Sequence, residues 1–450
     1  MDDQNPLERE LFASDAVRRL QALQRLIEAE RPQDAPRRQY GVNLHCHTIY
    51  SYNGYGHSPA SLAWLAHREG WYALGTVDFD VLDAVDETLS ACQIASLRGC
   101  AGLETRAFYH KGADIEFNSP GEPGVIYYVG VGFTSSQPPE AARATLAEMC
   151  RRAAERNRDM VERINGYLDP VIIDYARDVL PLTPSGNATE RHILIAYDIA
   201  ARRLFPERRD LVSFWAKKLE MPHEAVEQFL GDAPFPHDAI RSRLMKRGGV
   251  GYVQPGAETF PSLEAVHEAI LACGAIPSYA FLDGTSPGEE RLADLLERLI
   301  PMGMGALTVI PDRNWNIPNP PERARKVAKW HEVMALAREL DLPVLVGTEM
   351  NKYGQRLLDD FSAEALRPYY DDFIRAANWI YGHTLLQRAW GIGFLSAWAR
   401  DFLPNRAERN AFYARVGECV PPGREITAHL SPHMIEGGPK DILHWLEEAR

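Results

Sequence analysis

Residues 43–51 read Asn43-Leu44-His45-Cys46-His47-Thr48-Ile49-Tyr50-Ser51, and the fold is decided by how this stretch is understood. A short apolar run ends in two histidines separated by one residue. In a strand, side chains at i and i+2 leave the same face, roughly 6.5–7 Å apart along the backbone. Two imidazoles placed this way converge on one metal ion, with Cys46 turned to the other face. The plainer reading is two ordinary histidines at a strand end, one packed and one solvated. The surrounding chain has to decide between them.

Outward from this stretch, short apolar runs alternate with helical patterns. Strands are expected at 42–44, 72–77, 125–133, 275–279, 306–310 and 342–346, with helical patterns at 61–69, 262–272 and 321–340 between several of them. Strand, helix, strand in this rhythm specifies a parallel sheet or a barrel. Residues 1–37 read as one amphipathic helix, with Leu11, Val17, Leu20, Leu23 and Ile27 on one face, and then a polar linker of sequence Arg-Pro-Gln-Asp-Ala-Pro. The two barrel parts, 38–137 and 249–355, flank an all-helical insertion at 138–248. There Leu146, Met149, Ala153, Met160 and Ile164 recur at helical spacing beside many arginines, which read as a solvated helix face or as a site for an anionic ligand. Residues 356–450 read as a helical C-terminal extension rich in Trp and Tyr.

Composition narrows the classes. The chain has 450 residues, 45% of them hydrophobic and 25% charged, as in an ordinary globular protein with ample material for a core. Its net charge of −13 disfavours nucleic acid as a general partner, because an acidic surface repels phosphate backbones. No apolar run approaches the ~20 residues needed to cross a bilayer, so no membrane span is expected. The six cysteines are scattered without a C-x-x-C pair, and the N-terminus is acidic and polar. Reduced thiols in a cytoplasmic protein are the expectation.

His45-x-His47-x-x-x-Ser51, followed by Ala73-Leu74-Gly75-Thr76-Val77-Asp78-Phe79-Asp80, resembles the polymerase-and-histidinol-phosphatase (PHP) family. Ala101-Gly102-Leu103-Glu104 is similar to that family's third motif, in which a glutamate ends a strand. Tyr127 to Gly132 is similar to its apolar-Gly-x-Gly segment, and Leu342 to Asn351 to its late strand. The resemblance spans roughly 40–355 in the family's order. It implies a distorted seven-stranded (β/α) barrel with the site at the C-terminal ends of the strands. It also implies hydrolytic chemistry, with three metals and phosphate esters common among members.

The departures shape the expectation more than the matches do. Tyr52 stands where the family has an acidic residue, and Phe79, Tyr127 and Asn351 stand where it has histidines. Glu349 replaces an aspartate, and the histidine expected near 279–281 is absent. By the resemblance, His45, His47, Glu104 and Glu349 fall on the ligands of the first metal, and the ligands of the others are gone. One divalent ion is therefore expected: zinc first, with manganese or iron compatible with the carboxylates.

A mononuclear metal-dependent hydrolase of a small molecule follows. The alternatives are a phosphoesterase with an unusual site and a non-catalytic scaffold that binds metal or a metabolite. Three further residues are candidates for the chemistry. Asp78 reads as holding a histidine in place, or as a helix cap. Arg313 reads as a bidentate clamp on a carboxylate or phosphate, or as a partner of a neighbouring acid. His383 reads as a general acid or base, or as a core histidine bonded to backbone. His110 is a further candidate ligand. His429 and His433 are discounted, because Pro432 breaks the helix that would join them.

Overall fold

Seven strands form one sheet in sequential order: β1 (Val42–Cys46), β2 (Ala73–Phe79), β3 (Arg98–Phe108), β4 (Val125–Val131), β5 (Ile276–Phe281), β6 (Ala306–Val309) and β7 (Val344–Val346). The computed structural model describes residues 5–30, 41–231 and 237–448. All neighbours pair in parallel except β4, which runs antiparallel to β3 and to β5. The sheet closes on itself just past β7. There the Glu349 N–H donates to the His45 carbonyl at 2.8 Å and the His47 N–H donates to the Glu349 carbonyl at 2.7 Å. This is a distorted (β/α) barrel with seven strands, surrounded by helices. Every residue of β1 is buried, because the barrel interior covers one face and outer helices the other.

The sequence signals at the outer helices are local. Ser58 caps α3 (Pro59–Arg68) by accepting from the Ser61 N–H, with Pro59 at the first helical position. Helix α4 (Val85–Ile94) follows β2. Ser262 caps α10 (Leu263–Ala272), α11 (Leu292–Met302) precedes β6, and Asn319 caps α13 (Pro320–Glu339). A short α12 (Asp312–Trp315) follows β6.

Between residues 140 and 245 the described residues form α5 (Glu140–Leu168), α6 (Glu190–Leu204), α7 (Arg208–Leu219), α8 (His223–Gly231) and α9 (His237–Met245). Ile164, Leu194, Tyr197 and Trp215 are among the buried apolar side chains here that form a cluster separate from that of the barrel, while Met149 of α5 belongs to the barrel core. At the C-terminal end the opposite holds. Phe373, Trp379 and Ile380 of α14 (Tyr370–Trp390) belong to the same core as the strands, joined by Tyr413 and Val416 of α16 (Arg406–Cys419). A short α15 (Ala397–Phe402) lies between α14 and α16. Among the described residues, no helix is long and apolar enough to cross a membrane.

Two expectations from the sequence are corrected. The N-terminal segment is two helices, α1 (Pro6–Glu10) and α2 (Ala16–Ala29), because Asp15 starts the second by accepting from the Arg18 N–H at 2.8 Å. Its inward face holds Arg19, Ala22, Leu23 and Leu26, while Val17 is 61% exposed. Arg19 is buried because both prongs of its guanidinium reach Glu87, and it also donates to Tyr50 at 2.9 Å. Of the face read from periodicity, Leu11 and Leu23 are buried and Leu20 and Ile27 pack against the same core, so only Val17 departs; the burial of Arg19 depends on a partner remote in sequence. The polar linker after this helix lies outside the described residues. The second correction is β3, the longest strand, which the periodic pattern of apolar runs omitted and only the family resemblance indicated at Glu104.

Candidate metal centre

His45 projects from β1, His47 follows directly after it, and Glu104 lies on β3, two strands away. β2 separates them, and its Phe79 is in register with Glu104. Their ligand atoms lie within 4.8 Å of one another, and all three residues are buried. Among the described residues this is the one such group of three or more histidine, cysteine and carboxylate side chains. Gly347 makes the approach of β7 to β1 feasible, since a Cβ there would sit 2.3 Å from the Cβ of His45.

The distances have the spacing of ligands around an ion. His45 Nε2 and His47 Nε2 each lie 3.1 Å from the same oxygen, Glu104 Oε2. Bonds of roughly 2.0–2.2 Å to a tetrahedral or octahedral ion place neighbouring ligand atoms about 3–3.4 Å apart. Only the His45 contact has hydrogen-bond direction. His47 Nε2 is buried without a hydrogen-bond partner, and so is His45 Nδ1.

A short relay sets the protonation of His47. Asp78 accepts from the Thr48 N–H (2.8 Å), the Thr48 hydroxyl (2.6 Å), the Ser51 N–H (3.2 Å) and the Ser51 hydroxyl (2.5 Å). The single proton of Ser51 Oγ is thereby committed to Asp78, so at 3.1 Å it accepts from His47 Nδ1–H. In the neutral ring the lone pair of His47 then sits on Nε2, facing the Glu104 carboxylate. Lone pair against anion is repulsive, and a cation between them removes the conflict.

The local field favours that cation. Burial opposes ionisation of Glu104, but the hydrogen bond from His45 and the charge of the His45 and His47 rings outweigh it and hold the carboxyl far below its usual range. Burial likewise opposes charge on His47, yet Glu104 together with the Asp78 and Glu349 carboxylates raises its pKa.

The other sequence candidates separate into those at the cavity and those away from it. Glu349, in the left-handed region at φ 67°, faces the same cavity, but its carboxylate is ion-paired with Arg313 and accepts from Asn351 and Gln355 at 3.3 Å each. It does not join the converging three. Arg313 lines the cavity in that pair, which is the acid-partner alternative read from the sequence. Asp78 touches no histidine directly and reaches His47 through Ser51.

His383 lies elsewhere. It is fully buried in α14, bonded to the Gly132 carbonyl at 3.1 Å and the Phe394 N–H at 2.9 Å, and does not line the cavity. The acid–base role is replaced there by the core-histidine alternative, since both its nitrogens are engaged. His110 is exposed, as are His429 and His433.

Above the three ligands opens a cavity of about 700 Å³ between the barrel mouth and α5, α6 and α9. Tyr52, Phe79, Tyr127 and Asn351, the residues that depart from the family pattern, all line it. Phe79 stacks on His47 with ring centroids 4.3 Å apart. Asn187 ties the insertion to this rim by donating to the Phe79 carbonyl at 2.7 Å and the Tyr50 carbonyl at 3.2 Å.

Sequence reasoning assigned no role to Ser51, Asp80 or Arg106, and to Arg156 only the general one of the insertion's arginines, a solvated face or a site for an anionic ligand. Asp80 sits on the cavity wall at φ 61°, accepts from the Thr105 hydroxyl at 2.5 Å, and is pushed up by burial. Arg106 was within reach of the strand rule, being two residues beyond Glu104 on the same face.

No protein-family model matches the chain, and no curated protein matches it. Among solved structures, the chain is similar to an amidohydrolase from Chromobacterium violaceum at 14% identity and TM-score 0.47, with 75% of this chain and 96% of that one covered. It is also similar to a protein from Bifidobacterium adolescentis described as a metal-dependent phosphoesterase, at 19% identity and TM-score 0.46, with 75% and 97% covered.

Proposed function

We propose that the protein is a metal-dependent hydrolase of the PHP type that acts on a small molecule through one divalent ion, zinc first, with manganese or iron compatible. One observation carries this reading: two imidazole nitrogens stand 3.1 Å from one carboxylate oxygen, and His47 Nε2 makes no hydrogen bond there while Ser51 engages Nδ1. When bound, such an ion lowers the pKa of a water towards ~7 and polarises an ester, amide or phosphoryl oxygen.

The chain's own residues do the rest. His45, His47 and Glu104 supply three donors, which leaves a position open to the cavity, as in catalytic rather than structural sites. Ser51 and Asp78 hold the His47 ring, and Phe79 covers its face. The cavity volume of about 700 Å³ lies in the range of small-molecule sites. Glu349 and Arg313 form its rim as a paired couple rather than as a fourth ligand.

Elemental analysis of the purified full chain tests the proposal. About one zinc, manganese or iron per chain is expected, with Glu104→Gln losing most of it and a chelator abolishing hydrolysis. No ion after loading with zinc or manganese overturns the reading. Two or three ions per chain would replace it with the multi-ion phosphoesterase alternative.

A further inference from the structure

Two guanidinium groups share one aromatic ring on the wall of the cavity. Arg106 of β3 and Arg156 of α5 lie with their central carbons 4.5 and 4.4 Å from the ring centroid of Phe260, which is itself buried. Like charges brought together in a partly dehydrated place repel, and stacking on a ring offsets only part of that.

Their surroundings treat them unequally: burial opposes charge on both, but neighbouring Tyr127 and Glu122 sustain Arg106, and Arg156 is the one left short. Arg106 reaches Glu122 at a loose 3.4 Å. Arg156 donates to the Thr259 carbonyl at 3.2 Å and has no carboxylate partner among the described residues. The nearby Glu190 carboxylate is already taken by Arg241 at 2.6 Å and Lys246 at 2.9 Å. Asp80 lies close enough for its charge to favour both guanidiniums, yet it accepts from the Thr105 hydroxyl and forms an ion pair with neither arginine. Burial and the neighbouring charge of Arg106 pull Arg156 down to about 10. A cation kept at this cost, facing an open cavity, has its missing partner in the cavity.

We infer that Arg106 and Arg156, over Phe260, form an oxyanion subsite that takes a phosphate or carboxylate group of the substrate, separate from the His45-His47-Glu104 centre. The guanidinium fork matches the oxygen spacing of either group. Glu104 and Arg106 are i and i+2 on one strand, so the subsite stands roughly 7 Å from the metal ligand along β3. The substrate class is thus a small molecule with an anionic group about that far from the bond to be cleaved. That this anion belongs to a substrate rests on the hydrolase reading, whereas the binding itself does not.

The test uses chelator-treated full chain, titrated by calorimetry at low ionic strength with inorganic phosphate and, separately, with succinate. One saturable site is expected, and the tighter of the two anions identifies the group it is built for. Arg156→Gln should weaken binding about tenfold or more, and Arg156→Lys should restore part of it, since a charged hydrogen bond is lost in the first and a point charge kept in the second. Glu104→Gln, which disables the metal centre, should bind the anion no more weakly than the parent. Equal unfolding midpoints for the two Arg156 variants guard against a folding artefact. Absence of saturable binding by either anion, or parental affinity in Arg156→Gln, overturns the subsite. Anion binding that survives in a protein that takes up no metal would sink the hydrolase and leave the subsite standing.

Discussion

His47 and His383 are both completely buried, one at the mouth of the barrel and the other behind it in α14. At His383 both ring nitrogens are satisfied by backbone, and the ring serves as a strut between Gly132 and Phe394. At His47 one nitrogen is fixed by Ser51 and the other is left bare beside a carboxylate. Burial is the same; unspent bonding capacity is what differs. A buried polar atom without a partner costs free energy, so a place that collects such atoms around one point is incomplete without a ligand.

The comparison breaks first at His383. Replacing it by Ala removes a fully packed ring and leaves a buried N–H and a buried carbonyl unpaired. Denaturant unfolding should show a loss of about 3–5 kcal/mol, with metal content per folded chain unchanged. A loss of metal without loss of stability would show that His383 belongs to the site after all.

Next comes pH. Burial holds His383 down to about 4, below its ordinary value of 6.5. Between those two values the unfolded chain binds a proton that the folded chain excludes, so stability falls as pH drops through that window. The contribution is on the order of 3 kcal/mol at most, complete near the lower value and absent above the upper one. His57, also pulled to about 4 by burial, acts in the same direction. His383→Ala should unfold with a visibly shallower pH dependence from 6.5 to 4 than the parent, and an identical slope would refute the assignment.

The smallest effect sharpens the other side. Ser51→Ala frees the His47 ring and its tautomer without removing a ligand. Metal affinity, read by competition with a chromophoric chelator, should fall about 10–100-fold, the usual range for a partner that orients a ligand. Unchanged affinity would mean that the relay through Asp78 does not set the lone pair.

The same contrast shows where sequence reading reaches and where it stops. The His-x-His pair was legible because strand geometry alone puts i and i+2 on one face. Six of the seven strands were legible from apolar runs, since a barrel strand covered on both sides needs them. β3 escaped that rule: Arg98, Gly99, Gly102, Glu104 and Arg106 interrupt its apolar run, and the interruptions are the very residues that face the cavity or pack closely. The break between α1 and α2 was signalled locally by Asp15, yet the burial of Arg19 depended on Glu87, a partner no local pattern could supply.

Local chain chemistry, then, sufficed for an alternating α/β architecture and for a histidine pair presented on one side of a strand. Side-chain alternation and capping act over a few residues, so they can be read from neighbours. Which nitrogen is left over, whether Glu349 turns to a metal or to Arg313, and why two arginines meet over Phe260 are settled by groups tens to hundreds of residues apart. Such contacts exist only once the barrel has closed, because it is closure that brings β1, β3, β7 and the insertion around one cavity.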